Sequence, residues 1–73
     1  MRITLDRSAN AAYIRLADTI PDGVANTHMT VLDFSAADVN LDFDKEGRLV
    51  GIEIMPASKG LPPDLLAIAE VIG

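Results

Sequence analysis

The chain has 73 residues, no cysteine, one histidine (His28) and a formal net charge of -5. That composition excludes disulfides, thiolate metal sites and histidine clusters, and eleven acidic against six basic residues weigh against direct nucleic-acid binding and against docking on an anionic membrane. No stretch reaches the roughly 18–20 apolar residues of a membrane span, and the opening MRITLDRSAN lacks the apolar run of a secretion signal, so the expected location is cytoplasmic.

In chain order, RITL (Arg2 to Leu5) alternates, with Ile3 and Leu5 on one face, and reads as a half-buried strand. DRSAN (Asp6 to Asn10) is turn chemistry, because Asp, Ser and Asn side chains bond to nearby backbone. AAYIRL (Ala11 to Leu16) alternates again: Ala12, Ile14 and Leu16 on one face, Tyr13 and Arg15 on the other. The two runs predict a hairpin. ADTIPDG (17–23) is a loop with a Pro-Asp-Gly turn. VANTHMTVLDF (24–34) reads as an edge or twisted strand, polar in its first half, and SAAD (35–38) turns the chain.

VNLDF (39–43) places Val39, Leu41 and Phe43 on one face and Asn40 and Asp42 on the other. DKEG (44–47) is a type I turn or short loop ending at glycine. LVGIEIM (49–55) then alternates Val50, Ile52 and Ile54 against Leu49, Gly51, Glu53 and Met55. Paired residues share a face, so an even-numbered loop is expected here: it sets the aliphatic residues opposite one another and puts Gly51 and Glu53 beside Asn40 and Asp42. PASKGLPPD (56–64) ends the sheet. Residues 62–72 are expected to form a C-terminal helix, with proline in its first turn, Asp64 near its N-terminus and Leu65, Ile68, Ala69 and Ile72 on one face. Leu66 and Val71 widen that stripe.

These elements predict a single α+β domain over residues 1–73: a four- to five-stranded antiparallel β-meander (1–55) with one C-terminal helix (62–72) packed on one face. A domain this small buries only about 60–65% of its unfolded surface. Without disulfides or a metal it is expected to draw support from a partner, as a homo-oligomer of two or more copies.

Three constellations could carry chemistry. DFDKEGRLVGIE has an EF-hand-like spacing, with Asp42, Asp44, Glu46 and Glu53 as oxygen ligands around Gly47. The flanks are strand-like where an EF-hand needs helices, so a solvated hairpin is the preferred reading. The calcium or small-ligand site is kept as the alternative. His28 could serve as a general base, but it has no nucleophile context. Asp42 and Glu53 could form an acid–base pair, but salt links on a polar sheet face explain them as well. Neither a catalytic residue nor a cofactor is expected, and the reading is that the protein is not an enzyme. The interaction candidates are Tyr13 and Arg15 on the polar face, and Leu65, Leu66, Ile68, Val71 and Ile72 on the apolar helix.

ANAAYIRL and DFDKEGRLVGIEIMPAS, following a strand that ends in Asp6, resemble the YuzE-like group of small bacterial proteins, domain-of-unknown-function family 2283. The resemblance covers most of residues 1 to 60. It departs from the family at Asn10, where an acidic residue is usual. It implies a small antiparallel sheet with a packed helix and no established activity. Members often lie beside genes for small toxin-like nucleases, which implies an antitoxin-type role: an acidic module that blocks a basic protein partner.

Overall fold

The computed structural model describes residues 1–17, 27–33 (backbone only) and 37–73. The loop expected over 17–23 and the turn over 35–38 therefore lie largely outside the described residues. Among the described residues, six strands, β1 (Arg2–Asp6), β2 (Ala11–Arg15), β3 (Thr27–Asp33), β4 (Asp38–Phe43), β5 (Leu49–Met55) and β6 (Glu70–Val71), accompany two short helices, α1 (Ala57–Gly60) and α2 (Pro63–Ala67). The strands form one sheet in the order β3-β4-β5-β2-β1-β6.

Three expectations about strand order, strand direction and the tail need correction, and a fourth, the even-numbered loop, is corrected with the hairpin below. The sheet is not a meander, because β2 pairs with β5 rather than with β3. The aliphatic β5 takes the centre, where both strand edges and one face are shielded, and the more polar β3 is left at the edge, as its composition suggests. The sheet is also mixed rather than antiparallel: β6 runs parallel to β1, with Thr4 opposite Glu70 and Leu5 opposite Val71. The third correction concerns the helix over 62–72, which stops at Ala67. Ile68 closes α2 by donating to the Leu65 and Leu66 carbonyls, and the chain then extends. An extended tail satisfies backbone groups on the outer edge of β1 that would otherwise go unpaired. Ile72 N–H donates to Leu5 C=O at 2.9 Å, Arg7 N–H donates to Gly73 C=O at 2.9 Å, and the Arg2 guanidinium pairs with Glu70.

The β4–β5 hairpin reaches its expected register by an unexpected route. Asp44 N–H donates to Arg48 C=O and Gly47 N–H to Asp44 C=O, both at 2.9 Å, so the loop is the three residues Lys45, Glu46 and Gly47. Gly47 takes φ +81°, the left-handed value that glycine adopts most cheaply. An odd loop alone would put Gly51 and Glu53 on the aliphatic face. A β-bulge corrects it: Phe43 pairs with Leu49, Asp42 pairs with Gly51, and Val50 is the extra residue between. Its carbonyl accepts from Leu16 N–H at 2.9 Å on the neighbouring chain segment.

Cross-strand registers sort the sheet into four rows. Leu5, Ala12, Ile54 and Val39 form one aliphatic row; Ile3, Ile14, Ile52 and Leu41 form a second on the same face. The opposite face carries Thr4, Tyr13, Glu53 and Asn40 in one row and Arg2, Arg15, Gly51 and Asp42 in the other. The core sits on the first aliphatic row. Leu5, Ala12, Ile54 and Ala57 of α1 are buried, and Leu61, Leu66 and Ala69 pack against Leu5, Ala12 and Ala57. Gly60 lies so close to Ile54 and Ala37 that a Cβ there would collide with both. The second aliphatic row stays only half-buried.

Candidate functional site

The polar face of β2, β5 and β4 gathers most of the residues singled out from the sequence. The Tyr13 ring lies across Gly51 on β5, and its Oη donates to Asp42 Oδ2 on β4 at 3.0 Å. A Cβ on Gly51 would fall 1.8 Å from the Tyr13 Oη and 2.3 Å from its Cζ, a collision with the hydroxyl end of the ring. The glycine in the middle of an aliphatic strand is therefore the space that lets a tyrosine bridge two strands. Burial pushes the Tyr13 hydroxyl pKa up to about 12, and the hydrogen bond to Asp42 and that carboxylate's charge push the same way. One row along, Asn40 Nδ2 lies 3.5 Å from Glu53 Oε1.

Asp42 and Glu53, the candidate acid–base pair, thus share this face. Asp42 accepts from a neutral hydroxyl and Glu53 lies next to a neutral amide. His28 stands opposite Asp42 in the β3–β4 register; its side chain is outside the described residues. Arg15 stands opposite Gly51. It is half-buried, and its Nε is buried without a hydrogen-bond partner, an arrangement that typically costs about 1–3 kcal/mol.

The EF-hand-like spacing folds into turn chemistry. Asp44 is buried, and its Oδ1 accepts from the N–H groups of Glu46 and Arg48, both at 2.9 Å, while Oδ2 accepts from Arg48 Nε at 2.9 Å. The Arg48 backbone N–H and then its guanidinium hold the Asp44 carboxyl below its usual pKa. Glu46 turns back to Arg48 at 3.3 Å. Among the described residues, no three His, Cys, Asp or Glu side chains converge closely enough to hold a metal ion.

The apolar interaction candidates separate. Leu66 packs into the core cluster and Leu65 is half-buried, whereas Ile68, Val71 and Ile72 are exposed. Helical spacing grouped Leu65, Ile68, Ala69 and Ile72; the strand at 70–71 breaks that stripe.

Asn10 is a residue whose role the sequence reading missed. It sits at φ +50°, a conformation that Asn and Asp tolerate better than most residues. From there its C=O accepts from Ala57 N–H at 2.7 Å. Its Oδ1 accepts from Ser58 N–H at 3.0 Å, and its Nδ2 donates to Ser58 Oγ at 2.9 Å. Pro56 at the N-cap of α1 supplies no side-chain cap, so the β1–β2 turn caps α1 from 48 residues away. The turn itself is fixed by Asp6, whose Oδ1 accepts from Ser8 Oγ at 2.7 Å, Ser8 N–H at 3.0 Å and Ala9 N–H at 3.2 Å. Those bonds, the Ser8 hydroxyl foremost, hold its pKa below the usual value. The signal lay in the two motifs of the family resemblance: the Asn10 position and the Ala57-Ser58 pair are partners.

The fold and its polar face define a small mixed-sheet domain with a non-local tyrosine–carboxylate bridge and two minor helices. The chain belongs to the family described as Protein of unknown function (DUF2283), whose model matches residues 2–58. No curated protein and no solved structure matches the chain. Among the described residues no helix is long and apolar enough to cross a membrane.

Proposed function

We propose that this protein is a non-catalytic protein-interaction module that works in the cytoplasm. The observation that carries this reading is the half-buried aliphatic row Ile3, Ile14, Ile52 and Leu41, beside a row in which Leu5, Ala12 and Ile54 are buried. A protein partner laid on that row completes the core.

The net charge of -5 fits a basic partner, since opposite charge speeds encounter and penalises the wrong partners. In its most specific form the module is antitoxin-like and blocks a small basic nuclease. The test is capture from native lysate by the tagged protein and by its Ile52→Lys variant, with circular dichroism confirming that both fold. A small basic protein held stoichiometrically by the wild type and lost by the variant supports the reading, and its nuclease activity is then assayed with and without the module. Recovery of no stoichiometric basic partner sinks it.

A further inference from the structure

The outer edge of β1 carries a light cover. β1 runs from Arg2 to Asp6, but β6 pairs with it at only two positions, Thr4 opposite Glu70 and Leu5 opposite Val71. Glu70, Val71, Ile72 and Gly73 are all exposed, so seating the tail buries none of their side chains. Backbone bonds hold it, Ile72 N–H to Leu5 C=O and Arg7 N–H to Gly73 C=O, with one exposed ion pair in which Arg2 Nε donates to Glu70 Oε2 at 2.7 Å. Exposed ion pairs contribute little, and segments with so few buried contacts open locally before the core does.

The edge is nevertheless selective. Arg2 meets a carboxylate at the Glu70 position. Three residues on, a Cβ on Gly73 would fall 2.5 Å from Asp6 Oδ1 and 2.8 Å from its Cγ. That carboxylate is not free to move aside, because Oδ1 holds the β1–β2 turn through Ser8 and Ala9. Val71, opposite Leu5, shares the aliphatic face. One step back along the same register a residue would stand opposite Ile3, beside the half-buried aliphatic row. In this chain that residue, Ala69, packs instead against the core cluster of Leu5, Ala12 and Ala57.

We propose that the outer edge of β1 accepts an extended strand of a partner protein, parallel to β1, with the pattern apolar-Glu-apolar-x-Gly, and that the tail is its resident stand-in. The tail identifies this occupant, because AEVIG (69–73) has the same pattern and is seated there. The tail of a second copy is a poor competitor. It offers the same contacts as the tethered tail, which holds the edge at an effective concentration in the millimolar range. A partner strand displaces the tail by being longer: it also pairs at Ile3 and Arg2, and sets an apolar side chain at the end of the half-buried row. Such strand addition takes its affinity from backbone bonds and its selectivity from alternate side chains. The site is the edge of the sheet, so it stands whether or not a basic partner covers the aliphatic face.

The test uses the full chain and the synthetic peptide Lys-Val-Leu-Glu-Val-Ile-Gly-Lys, followed by NMR of the backbone amides. Gly73→Val unseats the tail by collision with Asp6, and Glu70→Lys unseats it by setting a second cation beside Arg2; neither touches β1 or the core. In the wild type the Arg7 and Ile72 amides are expected to exchange by local opening, faster than that of Ile54. The peptide should shift Leu5 and Arg7 and bind both variants about tenfold or more tighter than the wild type, whose tail competes. A peptide with valine in place of its glycine should not bind, and one with lysine in place of its glutamate should bind more weakly. The proposal is overturned by equal affinity for wild type and both variants, by a valine peptide that binds as well as the glycine peptide, or by no shift along β1 at millimolar peptide. Arg7 and Ile72 amides that exchange only with global unfolding overturn it too. Each of these results leaves the aliphatic-row reading standing, since capture there depends on Ile52.

Discussion

Two aliphatic rows lie side by side on one face of this sheet, and they have different fates. Leu5, Ala12 and Ile54 are buried under α1 and α2; Ile3, Ile14 and Ile52, one step along the same strands, are half-buried. Composition does not separate them, because the second row is the more hydrophobic of the two. The difference is the covering segment: PASKGLPP crosses the first row and is pinned there by Asn10. Burial in so small a domain follows from where the connecting chain is anchored, and the residue that anchors it is polar.

The largest expected effect tests that contrast directly. Ile54→Ala should cost about 2–4 kcal/mol in urea unfolding, and Ile52→Ala about half as much, since less surface and less packing are lost where water already reaches. Equal costs measured on the monomer would mean that the second row is covered after all. Next comes Gly51→Ala, on the reverse face of the same strand. Its methyl group must displace the Tyr13 ring, which should cost about 1–3 kcal/mol and should disappear in a Tyr13→Ala background. Asn10→Ala should cost about 1 kcal/mol, as the loss of a helix cap does, with hydrogen exchange rising first at Ala57 and Ser58. Tyr13→Phe should cost about 1 kcal/mol, because Asp42 loses a donor.

The smallest effect is visible only at high pH. Tyr13 is the sole tyrosine and there is no tryptophan, so phenolate absorbance reports this one group. In the folded chain its pKa is pushed up to about 12 from 10.0. The folded state therefore holds the proton longer than the unfolded state does. Stability falls as pH rises from about 10 to about 12 and levels off above that. A native titration midpoint near 10 would show that the ring does not lie buried across Gly51. At the acid end the sign reverses. Asp6 and Asp44 have lowered folded pKa values, so their contribution is present above the ordinary carboxylate pKa and is lost as pH falls through the lowered ones. Asp44→Asn should flatten that acid limb.

Periodicity made the faces legible. Alternation placed Ile3 with Leu5, Ile14 with Ala12, and Leu41 on the face of Ile52, and put Glu53 beside Asn40 and Asp42, and the turn at Asp44 to Gly47 was readable from its residues. Neighbours were not readable, because alternation says which side a residue faces and nothing about which strand lies alongside. The β2–β5 pairing was hidden for that reason, and with it the role of Gly51, which exists for a side chain 38 positions earlier in the chain. The tail misled because Leu65, Ile68, Ala69 and Ile72 carry helical spacing, while an open edge on β1 rewards extension. Asn10 was noticed as a departure from the family's usual acidic residue. Its amide nevertheless does the capping work at that position.

The hairpin between Phe43 and Gly51 behaves as a parity code. Its three-residue loop and the bulge at Val50 are two odd terms that cancel, leaving every side chain of β5 on its proper side. Removing one residue from the loop, or Val50 alone, inverts the strand and presents Glu53 to the core. Removing one from each site preserves the face. Length changes in this stretch are therefore expected to survive in compensating pairs, and aligned relatives that differ here should differ by even counts.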